Sequence, residues 1–296
     1  MLILYCSKPD PYRLKTLAKQ RLDTLLVSLD LCTSRQQAQA LIRTGKVSIN
    51  QQVVDKPGTE VDIASKIQIK ERSRYVSRGG DKLAKALEVF AIPVTDRICL
   101  DGGISTGGFT DCLLQAGAAK VYGVDVGYGQ ADWGLRNDPR VVLKERTNLR
   151  YMTATELYGD SGRADLAVVD VSFISLDKIL PALWELLVPP KEAVLLVKPQ
   201  FEVGRERVGK KGVVRDSATQ ADAIFQVWKA ATALGWEEKG LTWSPLLGPA
   251  GNIEYLLWLG IDREPEPEPR AIEEGVVKER ILEVAKAAAR ELVNRL

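Results

Sequence analysis

The chain has 296 residues, 45% hydrophobic and 27% charged, the balance of a soluble globular protein with room for one large domain and a small one. It has no histidine, which excludes Ser-His-Asp and Cys-His catalysis and His-ligated metal, and its four cysteines (Cys6, Cys32, Cys99 and Cys112) form no Cys-x-x-Cys pair, so no metal site or disulfide framework is expected. The formal charge of +2 hides an asymmetry: residues 1–82 carry 15 Lys/Arg against 8 Asp/Glu, a net of +7, and the rest carry 26 against 31, a net of −5.

A basic front suits a polyanionic partner, and equally a solvated basic face. Residues 1–18 read as an extension with prolines and no core-facing pattern. The apolar run at 1–6 is too short for an export-signal core, and no stretch reaches membrane-span length, so the expected compartment is the cytoplasm and no membrane partner is expected. Over 19–70 a small α+β unit is expected. Leu22, Leu25, Leu26 and Leu29 have helical spacing. Ser34 with Gln37 forms a capping box for a second helix, with Ala38, Leu41 and Ile42 buried and Gly45 closing it. Hairpin and strand patterns follow around Val47, Val53, Val61 and Ile67. Lys19, Arg21, Arg35, Arg43 and Lys46 stand between the buried positions, and antiparallel helices would gather them on one rim facing a phosphate backbone. Residues 71–80 form a basic, glycine-ended linker whose Arg72, Arg74 and Arg78 either continue that track or are simply solvated.

From 81 to 262 helical and strand patterns alternate, as in a Rossmann-like α/β domain: a parallel doubly wound sheet with helices on both faces. Strands are expected over 98–101, 121–125, 141–143, 166–171, 194–198 and 253–259, with helices over 83–90, 180–187 and 218–234. Residues 263–270 alternate Glu and Pro and form a stiff spacer, and 271–296 form an amphipathic helix.

The first strand of this domain runs into Asp101-Gly102-Gly103-Ile104-Ser105-Thr106-Gly107-Gly108-Phe109-Thr110, a glycine turn opening a helix. It lacks the Gly-Lys-Ser/Thr end of a phosphate loop and the Gly-x-Gly-x-x-Gly of a dinucleotide site. A turn without a phosphate lysine suits a zwitterion such as S-adenosyl-L-methionine. Asp125, 24 residues after Asp101 at the end of the next strand, is placed to grip ribose hydroxyls. Asp170 and Lys198 close two further apolar strands, Glu254 opens the last one, and Lys82 opens a helix. Beyond Lys198, residues 202–216 carry Arg205, Arg207, Lys210 and Lys211 among glycines, a loop facing RNA or merely solvent.

Two resemblances follow. Residues 19–70 resemble the S4-type RNA-binding domain through Arg21-Leu22-Asp23-Thr24-Leu25-Leu26, Ser34-Arg35-Gln36-Gln37-Ala38 and Leu41-Ile42-Arg43-Thr44-Gly45-Lys46-Val47, with Gln51-Gln52 departing from the usual glycine-containing turn. From 19 to 262 the chain resembles the TlyA, or hemolysin A, family. The carrying motifs are Tyr75-Val76-Ser77-Arg78-Gly79-Gly80-Asp81-Lys82, Ser105-Thr106-Gly107-Gly108-Phe109-Thr110-Asp111, Val124-Asp125-Val126-Gly127-Tyr128-Gly129-Gln130, Glu145-Arg146-Thr147-Asn148, Asp170-Val171-Ser172-Phe173-Ile174-Ser175, Val197-Lys198-Pro199-Gln200-Phe201-Glu202 and Asn252-Ile253-Glu254-Tyr255. The resemblance implies an S4-type domain joined to an FtsJ-like ribosomal RNA ribose 2′-O-methyltransferase acting on cytidine, on free RNA or a ribosomal subunit, and a monomer when free. It implies a catalytic tetrad of Lys82, Asp170, Lys198 and Glu254, with Lys198 as base or proton-orienting group. It also implies S-adenosyl-L-methionine held by Asp101, Gly102, Gly103, Ser105, Thr106, Gly107, Gly108, Phe109, Asp125, Asn148 and Asp170, with no metal. Gly102 and Ile104 stand where the family commonly carries Val and Ala; the bulk of Ile104 bears on cofactor affinity. Two other classes compete: an RNA-binding assembly protein with an inactive methyltransferase fold, against which the four tetrad residues speak, and a secreted pore-former, against which the absence of an export-type segment speaks.

Overall fold

The computed structural model describes residues 19–69, 74–261 and 273–293; the extension over 1–18, Arg72 and the Glu/Pro spacer lie outside them. The described chain divides into two compact units, 19–69 and 74 onward.

In the first unit, strand β1 (Lys19–Arg21) leads into α1 (Leu22–Ser28) and α2 (Arg35–Arg43), followed by β2 (Val47–Ile49), β3 (Gln52–Val53), β4 (Glu60–Asp62) and β5 (Ile67–Ile69). β1 pairs with β4, and β3-β2-β5 form an antiparallel sheet. Leu22, Leu25, Leu26, Ala38, Ile42, Val47 and Val61 make the core. The capping box forms by halves. Ser34 Oγ accepts from Gln37 N–H at 3.2 Å, but the Gln37 side chain reaches one residue further back and accepts from Thr33 N–H at 2.8 Å. The hairpin turn puts Asn50 and Gln51 at φ 48° and 72°, the left-handed pair of a type I′ turn made here without glycine. Two expected RNA contacts have other work. Buried Asp23 accepts from Arg21 Nη2 and Arg35 Nε, both at 3.0 Å, and from Gln39 Nε2 at 2.9 Å. The hydrogen bond from Arg21 is the main reason the Asp23 carboxyl sits well below the usual range. Arg21 and Arg35 thus anchor the helix pair, with about half of each side chain still exposed.

The second unit begins before residue 81. Tyr75 is buried in its core, and Val76 N–H donates to Asp111 at 2.8 Å, so residues 74–80 belong to it rather than to a linker. Its elements are α3 (Gly79–Val89), β6 (Ile98–Gly102), α4 (Gly108–Gln115), β7 (Lys120–Val124), α5 (Trp133–Arg136), β8 (Val141–Lys144), α6 (Ala154–Tyr158), β9 (Leu166–Val169), α7 (Leu180–Leu186), β10 (Glu192–Val197), α8 (Pro199–Glu202), α9 (Ser217–Ala233), β11 (Glu237–Trp243), β12 (Tyr255–Gly260) and α10 (Glu274–Val293). The sheet order is β11-β12-β10-β9-β6-β7-β8, with β10 through β8 parallel and β12 antiparallel to both of its neighbours. Strand alternation sorts the core into two layers. Cys99, Val121, Val168, Val194 and Leu196 face α3 and α4 on one side; Leu100, Tyr122, Val169, Leu195 and Val197 face α7 and α9 on the other. Helix α10 packs on α9 and β11 through Val277, Ile281, Ala285, Ala288 and Leu292, a stripe at helical spacing. Among the described residues no helix is long and apolar enough to cross a membrane.

The chain order reverses beside β6. β7 and β8 lie on one side of it, β9 and β10 on the other, and the crevice beyond their carboxyl ends is the ligand position of an open α/β sheet. β12 runs against the rest, so its start lies at that same edge; Tyr255 pairs with Val197, which sets Glu254 beside Lys198.

Candidate active site

A crevice of about 330 Å³ gathers the glycine turn and all four charged residues named from the sequence. Gly103, Ile104, Ser105, Thr106, Gly108 and Phe109 line it, together with Lys82, Asp170, Lys198 and Glu254. Two close approaches explain the glycines. A Cβ on Gly103, at φ +86°, would lie 2.5 Å from the Asp170 carbonyl oxygen. A Cβ on Gly108 would lie 2.8 Å from Gly80 N, so the first turns of α3 and α4 meet backbone to backbone and bring Lys82 to the turn.

The four charges form two pairs. Lys198 Nζ lies 2.6 Å from Asp170 Oδ1 and also donates to Ser172 Oγ at 2.9 Å. Lys82 Nζ donates to Glu254 Oε2 at 2.6 Å, with Glu254 1% exposed. Such buried pairs hold when their remaining lone pairs and protons are also met.

The other expected cofactor residues fall around the crevice. Asp101 is fully buried beneath the turn; Oδ2 accepts from Thr110 Oγ1 at 2.7 Å, and Oδ1 has no partner among the described residues. Gly102 ends β6, where a Cβ would meet Leu149 Cδ2 at 2.7 Å, so Leu149 fills the space of the family's usual Val. Gly107 is the left-handed N-cap of α4. Asp125, which like Asn148 is not in the crevice lining, accepts from Ser105 N–H of the turn at 2.8 Å and Gly127 N–H at 2.7 Å, a carboxylate tied to the turn by backbone. Asn148 is not in the crevice lining; its side chain is exposed and caps a 3₁₀ turn through Arg150 N–H. Ile104 is 4% exposed and sits over Gly123, whose own Cβ would lie 2.5 Å from Ile104 Cδ1, so the sheet yields the room this larger side chain needs. Among the described residues no cluster suited to a metal ion occurs.

Of the expected RNA contacts, Arg78 lines the crevice itself and Arg74 lies over the Tyr75 ring at 5.1 Å. Lys19 and Arg43 are exposed on the first unit and Lys46 is half-buried. Arg205, Lys210 and Lys211 are exposed, while Arg207 donates to Asp222 at 2.6 Å. Several residues escaped sequence reasoning. Ser172 orients Lys198. Phe173 is 90% exposed at φ +65°, with its ring 5.1 Å from that of Phe201. Glu202 clamps the 170–176 loop, accepting from Ser175 Oγ at 2.6 Å and Leu176 N–H at 3.1 Å. The Phe-Ile-Ser motif held the signal, since an aromatic between two serines at a strand end is poorly placed for the core.

Burial pushes both Asp101 and Glu202 up to about 7. A carboxyl raised on folding binds its proton more tightly in the native state. Its stability contribution is complete below the usual carboxylate pKa near 4 and is lost as pH rises through about 7. Glu202→Gln keeps the clamp without the ionisation. The difference in Tm between variant and wild type should therefore grow in the variant's favour from pH 6 to pH 8.5 in thermal scans. A pH-independent difference would refute the assignment.

A switch-point turn without a phosphate lysine, facing two lysine–carboxylate pairs, defines a Rossmann-like methyltransferase. The FtsJ-like methyltransferase family model matches residues 75–261 and the S4 domain model residues 20–67. The chain is 48% identical to the 16S/23S rRNA (cytidine-2′-O)-methyltransferase TlyA of Mycobacterium tuberculosis, over 87% of this chain and 96% of that protein. It is 41% identical to Hemolysin A of Brachyspira hyodysenteriae, over 80% of this chain and 98% of that one. A solved structure from Streptococcus thermophilus, described as a hemolysin, superposes with a TM-score of 0.70 at 42% identity, covering 95% of this chain and 99% of that one. The chain belongs to the TlyA/hemolysin A family, in which an S4 domain is joined to an FtsJ-like methyltransferase.

Proposed function

We propose that the protein transfers a methyl group from S-adenosyl-L-methionine to the ribose 2′-hydroxyl of a cytidine in ribosomal RNA, in the cytoplasm and as a monomer when free. The observation that carries this reading is Lys198: almost buried, held by Asp170 and Ser172, and facing the glycine turn across one crevice. The 48% identity to a named cytidine 2′-O-methyltransferase supports the substrate class, and the S4 domain supports an RNA or ribosomal partner. That relative is named for methylation of both 16S and 23S RNA.

The turn fits this cofactor. The crowding at Gly103 and Gly108 leaves bare backbone facing the crevice, the α4 N-terminus presents N–H groups, and Asp125 is set for a ribose diol. When bound, the cofactor supplies an electrophilic methyl on a sulfonium. The chain's residues do the rest. A lysine Nζ has four tetrahedral positions, one of them the bond to its own chain. Asp170 and Ser172 take two, so the remaining one is aimed at the hydroxyl to hold or accept its proton. Glu254 holds Lys82 alongside, where its charge steadies oxygen as the proton leaves. Most of the acceleration comes from alignment.

Phe173 directly follows Ser172 of the crevice lining and is an exposed aromatic in a left-handed conformation, backed by Phe201. Single-stranded bases stack on such rings, at about 1–3 kcal/mol per base. Phe173→Ala should therefore raise KM for RNA or lower kcat by ~5–100-fold while calorimetric affinity for the cofactor is retained. The function is tested by tritiated methyl transfer to ribosomal RNA, with mass-spectrometric mapping of ribose methylation. The expected product is 2′-O-methylcytidine. Cofactor binding without transfer to any ribosomal RNA would refute the assignment.

A further inference from the structure

The basic stretch after Lys198 is not a loose loop. Arg207, Lys210, Lys211 and Arg215 line a basin of about 400 Å³, floored by buried Val213 and Val214. Two buried side chains hold that floor. Asn252 Oδ1 accepts from Val214 N–H at 2.9 Å, and Asn252 Nδ2 donates to the Gly212 carbonyl at 2.8 Å. Gln220 Nε2 donates to the Val214 carbonyl at 2.7 Å, and Gln220 Oε1 accepts from the Tyr255 hydroxyl at 2.6 Å. Asn252 and Tyr255 flank Glu254, so the segment carrying this carboxylate is tied to the basin on both sides. Lys211 and Gly212 are both left-handed, at φ 66° and 75°, a paired kink that Asn252 pins from below.

We propose that Asn252, Gln220 and Tyr255 are positioning residues that couple an RNA phosphate backbone in this basin to the Lys82–Glu254 pair, so that the tetrad is fully set when RNA engages the loop. This rests on the ribose methyltransferase reading above. Lys210, Lys211 and Arg215 supply the recognition: Arg207 is already paired with Asp222, and these three outweigh Asp216 in the same lining and neutralise phosphate charge without reading sequence. The network supplies the transmission. Asn252 and Gln220 are 2% and 1% exposed, and each polar end named here has its partner, so a shift at buried Val214 is carried by these bonds to the β12 start. A network that served folding alone would connect the loop to the core anywhere; this one ends two residues before and one residue after the Glu254 carboxylate.

The test is a double-mutant cycle in methyl transfer to ribosomal RNA by the full chain, with kcat and KM measured separately for each substrate. Tyr255→Phe keeps the ring and removes one hydroxyl, so the fold persists. It should lower kcat by about fivefold with KM for the cofactor unchanged, the loss of one buried hydrogen bond. Lys210→Ala with Lys211→Ala should raise KM for RNA and also lower kcat. Combined with Tyr255→Phe, the loop variant should lower kcat by less than the product of the two separate effects, because one of the two ties is already cut and only the one through Asn252 remains. Asn252→Asp keeps the bond to Val214 and opposes a carboxylate to the Gly212 carbonyl; it should reproduce the kcat loss. Multiplicative effects on kcat across the cycle, or Tyr255→Phe changing Tm alone, would overturn the coupling. A wild-type protein that transfers no methyl to RNA would overturn the underlying reading instead.

Discussion

Lys198→Ala is expected to lower kcat for RNA methylation by at least about 10³-fold, within the range for losing a proton-handling group in an aligned site. Cofactor affinity should stay the same, because the turn, Asp125 and the α4 N-terminus are untouched. Equal falls in kcat and kcat/KM would mark an interaction made only in the transition state. The fold should survive, because the stranded Asp170 carboxylate has solvent access and its backbone N–H still donates to the Gly102 carbonyl at 3.0 Å. Lys198→Arg should not rescue: a guanidinium does not release its proton, and its planar fork does not reproduce three tetrahedral directions. Single-turnover transfer of a tritiated methyl group reads both variants, and near-normal transfer by Lys198→Ala would remove the residue from the mechanism.

Lys82→Met tests the second pair, and here stability moves as well. Glu254 is 1% exposed and pairs with Lys82, so the substitution leaves a buried carboxylate without that charge partner. Breaking one side of a buried pair costs about 3–5 kcal/mol, or a Tm lower by ~10 °C for a unit of this size. Glu254→Gln added to Lys82→Met removes the stranded charge and should recover most of the Tm. Methyl transfer should stay low in both proteins, since neither has the amine. The pair would then separate into a structural part, restored by neutrality, and a chemical part that is not. Equal melting temperatures for the single and double variants would contradict the burial argument.

How far these sites could be read from the chain depends on how local their signals are. Asp170 and Lys198 were legible because each is the first charge after an apolar run, and strand ends in an open parallel sheet face the crevice. The glycine turn was legible by composition. β11 was missed: Glu237-Glu238-Lys239-Gly240 reads as surface, and it becomes a strand because an edge bonded on one side only tolerates, and benefits from, charge. The roles of Asn252 and Gln220 were not legible, because their partners lie far along the chain and a buried amide looks like any other amide in sequence. Asp23 behaved likewise; its neighbours Arg21 and Arg35 read as free cations until its burial showed what they neutralise. Phe173 was missed because serines on both sides of Phe173-Ile174 hint only that the aromatic avoids the core, and the left-handed backbone that turns it outward is not written in the residue types.

The antiparallel β12 has a consequence for biosynthesis. β12 lies between β10 and β11, and β11 joins the sheet through β12 alone among the described strands. Among the described strands, the last to leave the translating ribosome therefore recruits the one made before it, and it brings Glu254, the last of the four charged crevice residues, at its leading end. A nascent chain that already displays Lys82, Asp170 and Lys198 still lacks the carboxylate that holds Lys82. A nonsense codon anywhere ahead of Glu254 should thus release a product with an unclosed sheet edge and no methylating activity, however much of the family's motif set it retains.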